Sequence, residues 1–415
     1  MKRISTNMPN DNMQFHMKIR EWKMNQLQNK MGKQQRINNL RDDPMAAAYG
    51  IRYESYLNRL GQFSTNVERV KSNGRVAEGY MQEALSILQR VREISIAGAN
   101  GTFTQQETAY MAEEVDQLLN ELVEIGNARA PDGTMLFAGT RNMSEAFRAV
   151  QGHVPGNDQL VFTNVEYVGT VQNSRAEISE NSFIESNYPG NRVFWAEHQA
   201  VLSDVNATEY RVPQDGTIYV DTMPVDLKAG DTIHAVIAKI NDSGAAVKAG
   251  LDPVKNSLLL KTTEPHQIWL EEGEGTRTLQ DLGILSSNGG YPPRNYAPDA
   301  EISGGSLFDM VIHVRDTLYE GNQFEIGGRG LKGIDSAINS LTTSLAELGA
   351  RDERLQIAGK RLDYETTETT RKLSDELDLD VAKAITDLKM LEYTHKASLQ
   401  TAARVLSPTL LDFMR

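Results

Sequence analysis

The C-terminal residues 331–414 repeat apolar side chains at alternating spacings of three and four, and no proline interrupts them before Pro408. The repeat comprises Ile334, Ile338, Leu341, Leu345, Leu348, Leu355, Leu362, Leu373, Leu377, Val381, Ala384, Leu388, Leu391, Leu399, Ala402 and Leu406. This spacing predicts a heptad stripe on one very long helix. At 1.5 Å per residue, about 70 such residues would span on the order of 100 Å. A helix of that length needs partner helices from this chain, from other chains, or from both.

A polar interval divides this stripe. It contains Thr366, Thr367, Thr369, Thr370 and Ser374. Polar stripe positions can select register or partner in coiled coils, at a cost in stability. A mobile or partly unwound segment is the alternative, and the sequence leaves both open. We expect residues 334–355 to pack on the chain's own helices and the part beyond residue 377 to pack on neighbouring chains, with the threonine-rich interval as the boundary.

Composition narrows the class of protein. The chain has 415 residues, with 40% hydrophobic residues and a mean hydropathy of −0.45. No apolar run reaches transmembrane length, and residues 1–30 lack the apolar core of a signal peptide. We therefore expect no membrane partner. The absence of cysteine excludes disulfides, thiolate metal sites and cysteine nucleophiles but leaves the compartment open.

Charge is unevenly spread along the chain. The net charge is −13, yet the first forty or so residues are basic. A basic arm can bind nucleic acid or an acidic membrane. Here, however, the cations alternate with apolar residues at helical spacing, and the acidic remainder would repel phosphate. We expect no nucleic acid partner.

The N-terminal third reads as helices separated by clear breaks. Residues 1–44 carry a weak apolar stripe with many amides, which predicts either a disordered tail or, as we favour, a helix that orders on assembly. Pro44 suits the first turn of the next helix, with Asp42 or Asp43 as N-cap. That helix ends near residue 100, and Thr104 with Glu107 forms a capping box for a third helix. The two long helices predict an antiparallel hairpin.

The middle of the chain changes to a period of two. Short strands are predicted at residues 135–139, 159–162, 165–168, 192–195, 217–220 and 257–260, between turns rich in Gly, Asn, Asp and Pro. A short helix with Asp231 as its cap is expected to lie on this sheet. The expected fold class is α+β and multidomain, with a long antiparallel coiled-coil or bundle rod built from both chain ends and a central, mainly-β inserted domain.

Five segments follow from these breaks. They are residues 1–44 as an N-terminal assembly helix, 45–145 as a helical hairpin, 146–300 as the mainly-β insert (with possible subdomains at 150–200 and 205–290), 301–360 as returning helices, and 361–415 as a C-terminal assembly helix.

The sequence lacks the motifs expected of catalytic, nucleotide-binding or metal-binding sites. No two of the seven histidines have the i, i+4 spacing of a metal-ligand pair. The glycine-rich residues 327–330 lack a following Lys-Ser/Thr, so a flexible joint is a better interpretation than a phosphate loop. The acidic cluster Asp375, Glu376, Asp378 and Asp380 is typical of a solvated helix face. We expect no enzyme, no catalytic, cofactor-binding or metal-binding residues, and no cofactor.

Both ends of the chain resemble a known family. Met1-Lys2-Arg3-Ile4-Ser5-Thr6-Asn7-Met8, the stretch Asp42-Asp43-Pro44-Met45-Ala46-Ala47 and the ending Ser407-Pro408-Thr409-Leu410-Leu411-Asp412-Phe413-Met414 are similar to motifs of the flagellar hook-associated protein 3 family, within the flagellin superfamily. In the insert, Asn187-Tyr188-Pro189-Gly190-Asn191-Arg192-Val193-Phe194 is similar to another family motif, and residues 230–284 resemble a motif shared with flagellin variable domains. The sequence departs from the family at Met31, at Gln34-Gln35 and at Leu40-Arg41, which puts the detail of that turn in doubt.

The resemblance implies a structural adaptor that joins the flagellar hook, through the first hook-associated junction protein, to the flagellin filament. It also implies a ring of copies of the same chain, export through the flagellar apparatus with an export chaperone, and terminal helices that pair on assembly. The organelle could be external or periplasmic. Flagellin itself, as a filament subunit, is the nearest alternative, and a surface-binding module with Trp195 and Trp269 exposed on a helical stalk is the other.

Assembly-interface residues are expected on both terminal helices. They are Met8, Phe15, Ile19, Trp22, Leu388, Leu391, Leu399, Leu406, Leu411 and Phe413. Asp42, Asp43 and Pro44 are expected to form the turn and cap between the assembly helix and the rod.

Overall fold

The computed structural model describes residues 8–39, 41–287 and 290–405. The helices are α1 (Met8–Lys33), α2 (Pro44–Ala99), α3 (Gln105–Gly126), α4 (Gly190–Val193), α5 (Ile233–Asp242), α6 (Thr278–Asp281), α7 (Leu307–Glu320), α8 (Gln323–Glu325), α9 (Leu331–Leu377) and α10 (Val381–Val405). The strands are β1 (Phe147–Val154), β2 (Asn157–Tyr167), β3 (Arg175–Ser179), β4 (Ser182–Glu185), β5 (Ala200–Leu202), β6 (Gly216–Val220), β7 (Met223–Leu227), β8 (Val247–Leu251), β9 (Leu258–Thr262), β10 (Leu270–Glu272) and β11 (Glu301–Ser303). The predicted α+β class, with long helices from both ends and a central β-rich insert, is confirmed.

The chain divides into two compact units. Unit 1 comprises residues 1–64 and 359–415, and unit 2 comprises residues 65–358. Helices α2 and α9 contribute residues to both units. The five segments expected from the sequence are a finer division than this one and stay a prediction.

Four helices form the larger hydrophobic core of unit 2. Buried apolar side chains from α2, α3, α7 and α9 meet there, among them Leu88, Leu122 and Leu341. The predicted capping box of Thr104 and Glu107 starts α3 and is confirmed, and Ser306 with Asp309 starts α7 in the same way. Reciprocal side-chain to backbone bonds of this kind satisfy N–H groups that the first helical turn leaves without partners.

The insert is antiparallel throughout its named strands. Its sheets have the orders β1-β2, β3-β4, β10-β6-β7 and β11-β5-β9-β8. The last two sheets pack with α5 around a second hydrophobic core, in which Ile218, Ile233 and Leu260 are fully buried. Hairpin β1–β2 belongs to the first core, since Phe147 and Tyr167 are buried against the helices. Unit 2 therefore has two separate apolar cores.

Four predictions in the middle of the chain were wrong in detail. Residues 135–139 do not form a strand, since Met135 makes only an isolated bridge with Arg129. Residues 192–195 do not form a strand, because Gly190–Val193 is the short helix α4. Residues 159–162 and 165–168 do not form two strands, since β2 runs without a break from Asn157 to Tyr167. The cap of α5 is Thr232, whose side chain accepts a hydrogen bond from Ala235 N, and not Asp231.

The long C-terminal helix is interrupted, contrary to prediction. Helix α9 ends at Leu377 and α10 begins at Val381. The threonine-rich interval lies inside α9 and is helical, and Thr369 is buried. The alternative of a partly unwound interval is therefore wrong, whereas its role as the boundary between packing within the chain and packing on neighbouring chains stays a prediction. Residues 327–330, expected as a flexible joint, lie in a π-helical turn, Ile326–Gly330, that leads into α9.

Asp231 contributes to the stability of the insert through its charge. Its Oδ2 accepts hydrogen bonds from Lys239 Nζ and, at 2.8 Å, from Lys228 N. The Lys239 ammonium group and then the Lys228 amide lower the pKa of the Asp231 carboxyl below its ordinary value near 3.8. A lowered carboxyl pKa stabilises the fold fully above the unfolded-state value, and this contribution is lost as pH falls through the folded-state value.

We therefore expect Asp231→Asn to lower the urea midpoint of unfolding at pH 7 and to have little effect near pH 2. Urea titrations followed by circular dichroism at the two pH values measure this. In a Lys239→Gln background the same substitution should matter less at pH 7, because the ion pair is already absent. An equal loss at both pH values would contradict the charge-based explanation.

Candidate assembly interface

Unit 1 buries very little apolar surface of its own. Its buried apolar residues among those described are Ala46, Ala47, Leu60, Leu362, Ala384 and Ala402. Both hydrophobic core clusters lie entirely in unit 2. Alanine removes little apolar area from water when it is buried, so a core of this kind contributes little to stability. Unit 1 therefore lacks the core that a self-sufficient folding unit of this size would have.

Large apolar side chains of unit 1 face solvent instead. They are Phe15, Trp22, Met45, Tyr49, Ile51, Tyr364, Val381, Ile385, Met390, Tyr393 and Leu399. Trp22 is 57% exposed and Tyr393 is 75% exposed. Single exposed apolar residues are normal, but many of them on a few helices mark an interaction surface. We call this set the exposed apolar set.

Helices α1 and α10 pack on each other. Helix α1 turns a partly buried stripe inward, made of Met13, Met17, Met24, Leu27 and Met31. On α10 the matching positions are Ala384, Leu388, Leu391 and Ala402, and Arg20 Nη1 donates to Thr394 O at 3.4 Å. Methionine is unbranched and adapts to irregular partners. The contact is therefore a pair of helices with one half-buried seam and free outer faces.

The predicted interface residues fall on both sides of this seam. Phe15, Trp22 and Leu399 are exposed, whereas Ile19, Leu388 and Leu391 are partly buried. Met8 begins α1, but the structure does not describe its side chain. Leu406, Leu411 and Phe413 lie outside the described residues. The structure does not test their role in assembly, so these residues stay predicted interface residues.

The methionine stripe is a feature that the sequence analysis missed. Met13, Met17, Met24 and Met31 fit a heptad repeat as well as the stripe that contains Phe15 and Trp22 does. The two bulky aromatic residues drew attention to the opposite face. A search for every stripe of heptad spacing in residues 8–33 would have found both faces.

The turn between α1 and α2 is built by the predicted residues. Pro44 is the first residue of α2, and Asp43 Oδ1 accepts a hydrogen bond from Ala46 N at 3.1 Å. Asp42 Oδ2 accepts from the backbone N–H groups of Asn38 and Asn39 at 3.2 and 3.3 Å. The two carboxylates thus hold the turn on one side and cap the helix on the other.

A set of contacts that the sequence did not reveal joins this turn to the break between α9 and α10. Arg36 N donates to Leu377 O at 2.8 Å, and Leu379 N donates to Gln34 O at 3.0 Å. Arg36 Nη2 also donates to Glu376 O at 2.6 Å. We call these contacts the Arg36 clasp. They replace the helical hydrogen bonds that end at Leu377.

The acidic cluster next to the clasp has structural roles. Asp380 Oδ1 accepts a hydrogen bond from Lys383 N at 3.0 Å, which makes it the N-cap of α10. Asp378 accepts a hydrogen bond from the hydroxyl group of Ser374. Both residues are exposed, as expected, but they lie in the break between α9 and α10 and not on a helix face.

Close packing also joins α2 to α9 within unit 1. A Cβ atom at Gly50 would lie 2.8 Å from Leu377 Cδ1, so glycine lets the Leu377 side chain pack directly on the backbone of α2, and a larger residue would require that side chain to move. Tyr56 Oη donates to Glu365 Oε2 at 2.8 Å. These contacts fix the α2–α9 pair, while the outer faces of α1 and α10 stay open.

Metal-ligand groups and membrane-spanning helices are absent from the part of the chain that the structure describes. Among residues 8–39, 41–287 and 290–405, no group of three or more His, Asp or Glu side chains could hold a metal ion. No helix in these ranges is long and apolar enough to span a membrane. Trp195 and Trp269 are both buried, and Trp269 Nε1 donates to Glu271 Oε1 at 2.6 Å. The surface-binding alternative therefore loses the exposed tryptophans on which it rested.

Comparison with known proteins gives matches along most of the chain. Residues 4–142 match the bacterial flagellin N-terminal helical region, residues 331–414 match the bacterial flagellin C-terminal helical region, and residues 214–264 match the flagellin hook IN motif. Flagellin C of Vibrio cholerae serotype O1 is 24% identical over 369 residues, which cover 89% of this chain and 87% of that protein. Flagellin FlaB1 of Treponema pallidum is 31% identical over 141 residues, which cover 33% of this chain and 48% of that protein.

Solved structures give related matches. Flagellar hook associated protein-3 from Legionella pneumophila has a TM-score of 0.47 and 18% identity, over 78% of this chain and 97% of that chain. A putative flagellar hook-associated protein from Vibrio parahaemolyticus has a TM-score of 0.48 and 14% identity, over 81% of this chain and 100% of that chain. With flagellin regions matched at both ends and in the insert, this chain belongs to the flagellin superfamily of flagellar structural proteins.

Proposed function

We propose that this chain is the adaptor that joins the flagellar hook, through the first hook-associated junction protein, to the flagellin filament. The proposal rests on the structure of unit 1. This unit is built from both chain ends, has almost no hydrophobic core and presents the exposed apolar set to solvent. Such a unit gains stability when neighbouring helices cover it. The junction role, as opposed to another flagellar role, is supported by the terminal motifs that resemble the hook-associated protein 3 family.

The partners follow from this proposal. Copies of the same chain form a ring, the first junction protein covers one side, and flagellin covers the other. An export chaperone and the export apparatus bring the chain to an extracellular or periplasmic flagellum.

A filament subunit is the second candidate function. It is favoured by the flagellins that match 89% of this chain. The two functions differ in where the protein lies: an adaptor occupies one short zone at the base of the filament, whereas a subunit recurs along the filament.

Immunogold labelling of purified flagella separates them. Antibodies against the folded insert, residues 200–285, should label one zone where hook and filament meet. A strain that lacks the gene should release unpolymerised flagellin into the medium and bear bare hooks, because filament growth has no base. Label along the filament, or normal filaments in the deletion strain, would contradict the adaptor and favour the filament subunit.

A further inference from the structure

Strand β8 lies at an open edge of its sheet. The order β11-β5-β9-β8 gives it only one neighbour, β9, to which Lys248 is paired opposite Lys261 and Gly250 opposite Leu259. An edge strand presents backbone N–H and C=O groups that another chain can use for strand addition. In the middle of β8, the N–H and C=O groups of Ala249 point away from β9.

The side chain of Asn241 occupies these two groups. Ala249 N donates to Asn241 Oδ1 at 2.8 Å, and Asn241 Nδ2 donates to Ala249 O at 3.1 Å. This is the pattern of a hydrogen-bonded residue pair in an antiparallel sheet, made by one side-chain amide. Only Asn and Gln offer a donor and an acceptor together in this way. Asn241 lies at the end of α5, which packs beside β8.

The edge that Asn241 covers is complementary to itself. If β8 of one copy paired antiparallel with β8 of another about Ala249, Val247 would face Leu251 and Lys248 would face Gly250. No lysine would face a lysine, so like charges would not oppose the pairing. Both strands would gain hydrogen bonds at Ala249 once Asn241 had left it.

We propose that β8 is a strand-addition edge for the same strand of a second copy and that Asn241 keeps it closed. The chain is expected to assemble with many copies close together, a condition in which an open edge would join chains through their inserts. Asn241 blocks this contact at its centre by supplying the two bonds that the second copy would supply.

The test uses the full-length chain with Asn241→Ala. The variant should stay folded by circular dichroism, lose amide-exchange protection at Ala249 when dilute, and form dimers on concentration, as measured by sedimentation and light scattering. Adding Ala249→Pro should restore the monomer. Proline removes the outward N–H that a second copy needs, yet an edge strand tolerates it because this N–H makes no bond to β9.

The neighbouring exposed residue provides the matched control, since Asp242→Ala should stay monomeric at every concentration. A folded Asn241→Ala variant that stays monomeric over the same concentrations overturns the proposal. So does association that persists with Ala249→Pro, because it must then use another surface. If Asn241→Ala loses its folded structure, with or without Ala249→Pro, then Asn241 serves only to hold α5 on β8, and the proposal also fails.

Discussion

A chain with Ile385→Asp and Leu399→Asp is expected to fold as the wild type does and to fail to assemble into flagella. The two side chains are 46% and 47% exposed, and they lie 14 residues apart, so they share one face of α10. Aspartate on an exposed helix face costs the monomer little. Once a neighbouring helix covers that face, each unpaired carboxylate costs about 3–5 kcal/mol, which corresponds to more than a hundredfold weaker association per site.

Electron microscopy of cells and immunoblots of the medium measure this outcome, because the variant should be secreted while filaments are absent. Circular dichroism of the purified chain checks its fold. Lys383→Asp with Thr401→Asp adds charge to the opposite face of the same helix, which carries only Met390 of the exposed apolar set, and should impair assembly much less. Normal filaments with the Ile385 and Leu399 variant would remove this face from the proposed interface.

Arg315→Ala is expected to destabilise unit 2 by about 3–5 kcal/mol. The Arg315 side chain is fully buried, and its Nη1 donates to Asp116 Oδ1 and to Phe162 O, both at 2.8 Å. Its Nη2 pairs with Asp316 Oδ1 at 2.7 Å. Asp116 is only 14% exposed, so removal of the cation leaves a nearly buried carboxylate without its partner. Domains have about 5–15 kcal/mol of stability in total, so this loss is large.

Urea unfolding followed by circular dichroism measures the change. Arg315→Met combined with Asp116→Asn should be less destabilising than Arg315→Met alone, because the double variant no longer leaves the nearly buried Asp116 carboxylate without a cation. Arg92→Ala removes an exposed ion pair with Asp335 and should change stability by no more than about 1 kcal/mol. A loss below 1 kcal/mol for Arg315→Ala would contradict the role given to this buried group.

Helix starts and helix periods were predicted correctly where they depend on residues close together in the sequence. The N-cap at Thr104, the proline at the start of α2 and the apolar periods of α2 and α3 depend on neighbouring residues, and they placed those helices correctly. Membership of the flagellin superfamily, implied by the terminal motifs, is confirmed as well. The short stretch 192–195 fits a strand or a helix equally by sequence, and in the structure only Arg192 and Val193 lie in α4, while Trp195 forms an isolated bridge with Ser306.

Features that depend on contacts between distant parts of the chain could not be predicted from local sequence patterns. The end of α9 at Leu377 has no Pro or Gly to mark it, since residues 378–380 are Asp-Leu-Asp. The helix stops there because residues 34–36 take over its hydrogen bonds, and nothing within a few residues reveals that pairing. A heptad search finds two stripes on α1, but which of them turns inward is decided by α10, which lies far away in the sequence.

The Arg36 clasp has a consequence for the time course of synthesis. Its bond from Arg36 to Glu376 joins residues 340 positions apart in the chain. At about 5–20 residues per second, helix α1 leaves the ribosome on the order of tens of seconds before its partner α10 exists. During that interval the methionine stripe has no covering helix. Any protein that keeps this chain open before assembly therefore has to hold only one of its two ends.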